Sequence, residues 1–310
     1  MGTDELARID GEDLFASQLT ESIALEKYAA RINKELAKVI DKEIIIYVHG
    51  AKGSFIKSVA LTAEIDHFSG RDFVGLAFAW PSHQNILSYV IGRDVKRAEH
   101  STASLRTLIE YLAEYTDAKQ INVICYSAGG KLVSRALSEM REKYRLLDAQ
   151  ALRKSFKLGT VLFAAADIAV DRFLDRLPAI SEMVQQVVVT VSDGDSALHF
   201  AGIVMGGKAR IGTEKAIQVE EEFATEHRID NFEIVDFSFG SDERGFDITG
   251  HHYWHRHPWA SSDIMFLLRT DLPAKDRGLS LSDIAGVWYL PVAYPSQVRQ
   301  AVKEVLKGEW

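Results

Sequence analysis

The chain has 310 residues, enough for one large domain or two small ones, with 47% hydrophobic and 26% charged residues, ordinary proportions for a globular fold. A formal charge of −8 without any Lys/Arg-rich stripe argues against nucleic acid as a partner, because phosphate binding needs clustered cations. One cysteine, Cys125, excludes an internal disulfide framework, and no apolar run approaches the roughly 20 residues of a membrane span. The acidic stretch 1–13 lacks the apolar core of a secretory signal, so the expected location is the cytoplasm.

In chain order, the first element is a helix: Leu25, Tyr28, Ala29, Ile32, Leu36 and Val39 form one apolar stripe within an N-terminal helical extension, 1–42. Short apolar runs then alternate with amphipathic stretches, the pattern of a mostly parallel α/β sheet with helices on both faces. The runs are 44–48, 73–80, 121–125, 159–165, 187–191 and 232–237. Most are apolar on consecutive residues, as in strands covered on both sides. Between them, Val95, Ala98, Thr102, Leu105, Ile109 and Leu112 recur at helical spacing, as do Leu132, Val133, Ala136, Leu137 and Met140.

A helix carrying Phe173, Leu174, Leu177 and Ile180 should be interrupted or kinked at Pro178. The glycine-bearing segment 196–230 is the least regular and fits a mobile excursion over a site. A closing helix is expected over 297–307 after the last strand. With no repeat or low-complexity linker, 1–310 reads as a single α/β domain.

Ile121 to Gly130 is a strand running straight into a helix, with Ser127 on the turn and small residues, Ala128, Gly129 and Gly130, behind it. A sharp turn lifts a serine hydroxyl above the carboxyl edge of a sheet, where a base can reach it. The motif is G-x-S-x-G with Cys125 in place of the first glycine, so helix capping by Ser127 is the competing reading. At the end of the first strand, His49-Gly50-Ala51 supplies a second backbone donor: the Ala51 and Ala128 N–H groups are the candidates for an oxyanion hole. His49 reads as a bracing hydrogen-bonder.

In serine hydrolases of this architecture the acid and then the histidine follow the nucleophile in the chain. Ser192-Asp193-Gly194-Asp195 follows the run 187–191, and Gly250-His251-His252 follows 232–237. The candidates are therefore Ser127, His251 with His252 as its rival, and Asp195, with Asp193 and Asp167 as alternative acids. Asp195 is preferred because a turn at Gly194 can bring it back over the sheet edge. His251, His252, His255 and His257 could in principle hold a metal, but no H-E-x-x-H motif is present and none is expected. Cys125, two residues before the turn, should point into the sheet and is no nucleophile.

The sequence resembles the DUF900 family of α/β-hydrolases of unknown function. The likeness is carried by Val48-His49-Gly50, Phe78-Ala79-Trp80-Pro81-Ser82, Tyr126-Ser127-Ala128-Gly129, Ala165-Ala166-Asp167, Ser192-Asp193-Gly194-Asp195-Ser196-Ala197-Leu198 and Gly250-His251-His252-Tyr253. It departs from the family at Cys125, where a small residue is usual, and at Ala51-Lys52, where an aromatic-Asn pair is. The resemblance implies the α/β-hydrolase fold and a Ser-Asp-His triad, and its Ser-x-x-Asp-x-Ala-Leu pattern favours Asp195.

The expected function is hydrolysis of a small carboxylic ester or related acyl compound, without a cofactor. The competing class is a catalytically silent fold used as a binding or scaffold module.

Overall fold

The computed structural model describes residues 11–82, 95–196, 198, 209–238, 250–284 and 286–306. Helix α1 (Gly11–Leu36) leads into β1 (Glu43–Val48), α2 (Phe55–Phe68), β2 (Phe73–Phe78), α3 (Val95–Tyr115) and β3 (Gln120–Tyr126). Helices α4 (Gly129–Lys143) and α5 (Ala149–Phe156) precede β4 (Leu158–Ala164). Then come α6 (Val170–Leu174), α7 (Leu177–Met183), β5 (Gln186–Val191), α8 (Glu214–Glu226) and β6 (Phe232–Asp236). The chain closes with α9 (Tyr253–Arg256), α10 (Pro258–Thr270), the short strands β7 (Ser280–Leu281) and β8 (Val287–Tyr289), and α11 (Tyr294–Leu306).

These strands form one sheet in the order β2-β1-β3-β4-β5-β6-β8-β7, parallel throughout except for the terminal β7–β8 pair. Alternate residues go to opposite faces, and both faces are buried. Ile44, Ile46 and Val48 join one apolar cluster with Leu105, Ile109, Leu132, Val133 and Ile180, whereas Ile45 and Tyr47 join another with Ile65, Trp254, Ile264 and Leu267. Two helix layers therefore cover the sheet, which is why its strands are apolar on consecutive residues. Ile32 and Leu36 of α1 lie in the first cluster, so the N-terminal helix packs on the core.

Several expectations change. The run 73–80 ends as a strand at Phe78, and Trp80 is diverted to a hydrogen bond with a loop carbonyl. Strand β6 is not the last, because β8 pairs beside it; two- and three-residue strands carry too little pattern to be read from sequence. The expected interruption around Pro178 is present: there are two helices, with the proline in the first turn of α7, where its missing N–H costs nothing. Within 196–230, expected to be irregular, α8 is a regular 13-residue helix. Residues 197 and 199–208 of that segment, like Lys307 of the closing helix, lie outside the described residues. Among those described, no helix is long and apolar enough to cross a membrane.

The end of the sheet opposite Ser127 carries a buried polar network. Asn122 Nδ2 donates to Glu43 Oε2 (3.0 Å), its Oδ1 accepts from the Thr160 N–H (2.8 Å), and Asp271 accepts from Gln120 (2.5 Å) and Thr160 (3.0 Å). Burial, and then the charges of Asp271 and Asp41, push the Glu43 carboxyl up to about 7 from 4.5. The folded protein thus keeps a proton that the unfolded chain releases. The cost of Glu43 is absent below pH 4.5, grows as pH rises towards 7, and is fully present above that. Glu43→Gln, whose amide oxygen still accepts from Asn122, should raise the urea midpoint at pH 8 and leave it nearly unchanged at pH 4.5. Equal shifts at both pH values would contradict a proton held on Glu43.

Candidate active site

Strand β3 ends at Tyr126, and Ser127 follows with φ +51°, in the left-handed region, where a side chain costs about 1–2 kcal/mol. Four backbone bonds hold the turn. The Ser127 N–H donates to Ala164 O (3.1 Å), the Ser127 carbonyl accepts from the N–H of Gly130 (3.0 Å) and Asp167 (3.1 Å), and the Lys131 N–H donates to Ala128 O (3.1 Å). Behind the turn, a Cβ on Gly129 would stand 2.5 Å from Val48 O and 2.7 Å from His49 O. Only glycine lets α4 start this close to the end of β1. Cys125 is fully buried, with Sγ 3.3 Å from Leu162 O, and burial pushes its thiol up.

The loop after β1 comes within van der Waals reach of the Ser127 turn: a Cβ on Gly50 would stand 2.8 Å from Ser127 Cβ. His49 braces this loop. Its Nδ1 donates to Gly50 O (2.7 Å), its ring stacks on Trp80 at 5.5 Å, and Trp80 Nε1 donates back to His49 O (2.7 Å). Ser82 Oγ donates to Gly53 O (3.2 Å), so the Trp-Pro-Ser element ties down the far side of the same loop. Burial lowers the His49 pKa, which suits a neutral, bracing imidazole. Ala51 is half-buried and Ala128 buried, and among the described residues neither amide N–H is taken up by a protein acceptor.

Past β5, Asp195 is fully buried. Its Oδ1 accepts from the Leu198 N–H (3.0 Å) and its Oδ2 accepts from His251 Nδ1 at 2.7 Å. That bond fixes the imidazole tautomer and leaves Nε2 as the acceptor. Asp193 is exposed, with its N–H on Ser238 Oγ (2.9 Å). Asp167 is buried in a different cluster, paired with Lys131 Nζ (3.0 Å) and Arg210 Nε (3.2 Å). Of the three carboxylates expected from the sequence, Asp195 is the one in contact with His251.

The histidine turn is held at successive residues. Gly250, at φ +63°, lies so close to Gly194 that a Cβ would stand 1.9 Å from its carbonyl oxygen. Next, His251 meets Asp195, and His252 Nδ1 shares a 2.6 Å hydrogen bond with the Tyr126 hydroxyl. The Tyr253 hydroxyl meets Thr190 Oγ1 (2.8 Å), and the Trp254 ring is buried beside Tyr47. The Tyr126 ring lies 5.0 Å from that of His251. Among the described residues the Ser127 hydroxyl makes no hydrogen bond to His251, a contact that in unliganded sites often tightens only with substrate.

The sequence alone does not single out Tyr126 beside the site, nor Lys131 and Arg210 as the partners of Asp167. Tyr126 had a signal, its place next to Ser127, whereas Arg210 sits in the segment expected to be irregular. From sequence, His252 reads only as a rival base to His251. Among the described residues, no group of three or more side chains is arranged to hold a metal.

A family model for the alpha/beta hydrolases of unknown function designated DUF900 matches residues 25–262. The chain belongs to that family. No curated protein matches. Among solved structures, this DUF900 protein is similar to a dienelactone hydrolase from Anabaena variabilis ATCC 29413 at 12% identity, covering 73% of this chain and 83% of that one, with a TM-score of 0.38. It is also similar to Thermogutta terrifontis esterase 2 phosphoramylated by tabun, at 13% identity, 73% and 80% coverage and a TM-score of 0.45. A third is esterase B from Lactobacillus rhamnosis with a tributyrin phosphonate inhibitor, at 13% identity, 96% and 99% coverage and a TM-score of 0.43.

The left-handed turn of this α/β-hydrolase has a direct thermodynamic consequence. Ser127→Gly and Ser127→Ala both remove the hydroxyl, but only alanine keeps the Cβ that strains φ +51°. The glycine variant should be more stable than the alanine variant by about 1 kcal/mol in urea unfolding. An alanine variant as stable as the glycine variant would contradict the left-handed backbone.

Proposed function

We propose that this DUF900 protein is a serine hydrolase that cleaves a carboxylic ester or related small acyl compound through an acyl-enzyme on Ser127. The observation that carries the reading is the 2.7 Å contact of the buried Asp195 with His251 Nδ1, at the carboxyl edge of the sheet where β3 ends in the strained Ser127 turn. A buried carboxylate on Nδ1 fixes the tautomer in which Nε2 can take up a proton, the role the chemistry needs.

In the first half-reaction Ser127 Oγ attacks the substrate carbonyl carbon while its proton passes to His251 Nε2. The carbonyl π electrons move onto oxygen, and the oxyanion accepts hydrogen bonds from the Ala51 and Ala128 N–H groups, the latter also at the N-terminus of α4. Collapse of the tetrahedral intermediate re-forms the carbonyl and expels the alcohol, which takes the proton from His251. Water then repeats the sequence on the acyl-enzyme, releasing the acid and restoring Ser127. Asp195 keeps its charge throughout and stabilises the imidazolium. No cofactor enters any step.

Turnover of a short-chain activated ester tests the assignment. His251→Ala should cost about a thousandfold or more, and Asp195→Asn about 10⁴-fold as the tautomer is lost. Asp193→Asn should stay within about twofold, as is usual for an exposed side chain. Asp167→Asn should lower the melting temperature by breaking the pairs with Lys131 and Arg210, with turnover reduced far less than by Asp195→Asn. A wild-type rate in Asp195→Asn, or a wild-type protein inert towards every acyl ester, amide and thioester tried, would overturn the reading; the second result is what a scaffold module gives.

A further inference from the structure

A base is useful only at the right distance from its nucleophile, and the Asp195–His251 contact does not set that distance. Asp195 and Gly194, the latter packed against Gly250, follow β5, and Thr190 of β5 meets the Tyr253 hydroxyl. These contacts locate the turn relative to β5, two strands away from β3 in the sheet, and Tyr253 is also bonded to the Ala165 backbone just past β4. Tyr126 is different, because it belongs to β3 and immediately precedes Ser127.

Its ring is packed against the apolar cluster containing Tyr47 and Trp254, 5.6 Å from the Trp254 ring and 5.0 Å from that of His251. A Cβ on Gly50 would stand 3.3 Å from its Cδ1, so the same ring also borders the loop expected to supply an oxyanion donor. Its hydroxyl meets His252 Nδ1 at 2.6 Å. The residue before the nucleophile is thereby bonded to the residue after the base.

We infer that Tyr126 and His252 form a positioning pair that sets the spacing between Ser127 and His251. The inference rests on the serine-hydrolase reading and adds to it two residues that act through the triad and need not touch substrate. Without the Tyr126–His252 hydrogen bond, His251 keeps its carboxylate and its tautomer but its turn loses this polar tie to β3, and a displacement of about 1 Å at a reacting pair costs up to about a hundredfold.

The test compares Tyr126→Phe, His252→Ala, His252→Asn and the Tyr126→Phe/His252→Ala double variant in the full chain. Steady-state hydrolysis of an activated short-chain ester and the rate of covalent labelling by a fluorophosphonate are both measured. Tyr126→Phe should lower kcat about 10- to 100-fold with KM within about twofold, and should slow labelling by the same factor. The pH dependence of kcat should keep its wild-type shape, because the Asp195–His251 contact remains. His252→Asn, which retains a polar atom near the place of Nδ1, should recover most of what His252→Ala loses. The double variant should lose no more than the worse single, as partners in one interaction do.

Wild-type kcat and labelling rate in Tyr126→Phe, losses that multiply in the double variant, or a loss carried by KM alone would each overturn the inference while leaving Ser127 as the nucleophile. A wild-type protein that neither labels nor turns over removes the hydrolase reading, and this inference with it.

Discussion

The architecture of the site depends on the close approach of two chain turns at the carboxyl edge of the sheet. Ser127 is held in left-handed backbone by its N–H donating to Ala164 O and its carbonyl accepting from the N–H groups of Gly130 and Asp167. The strain is tolerated because the strand before it is buried along nearly its whole length and the helix after it abuts the last carbonyls of β1. Remove either support and the turn has no reason to stay strained. The glycines at 50 and 129 are required for the same reason: a methyl group at either place would enter the space of Ser127 or of the β1 carbonyls.

Parallel strand order does the rest. In a sheet that runs β1, β3, β4, β5, β6 from one loop to the next, the segments after β1, β3 and β5 open on the same edge. Residues far apart in sequence, such as Gly50, Ser127 and Asp195, therefore arrive at one place without any long excursion of the backbone. The same geometry separates the carboxylates. Asp167, one strand earlier, falls into the cluster of Lys131 and Arg210, and Asp193, two residues before Asp195, stays on the surface.

Much of this was legible in the sequence because buried parallel strands are apolar on consecutive residues and a nucleophile turn has small residues behind its serine. The six longer strands and the order of the motifs could be read directly. Strands β7 and β8 could not, being too short to carry a period. Helix α8 was hidden because nearly half of its thirteen residues are acidic or basic. The turn at Gly194 favours Asp195 from sequence, but Asp193 and Asp167 remain alternatives because all three follow a strand; the packing of Gly194 against Gly250, a tertiary contact, is not encoded in any local pattern. The Tyr126–His252 bond was hidden for the same reason, since its partners lie 126 positions apart.

In the proposed mechanism Ser127, and not the neighbouring thiol, is the nucleophile. Cys125 is enclosed and its thiolate is disfavoured by burial, whereas Ser127 is half-buried at the sheet edge. The direct measurement is peptide mapping by mass spectrometry after treating the folded wild-type protein with an organophosphonate ester. One stoichiometric adduct is expected on the peptide spanning residues 120–131, with fragmentation placing it on Ser127. An adduct on Cys125, or an unmodified Ser127 in protein that hydrolyses acyl esters, would contradict it.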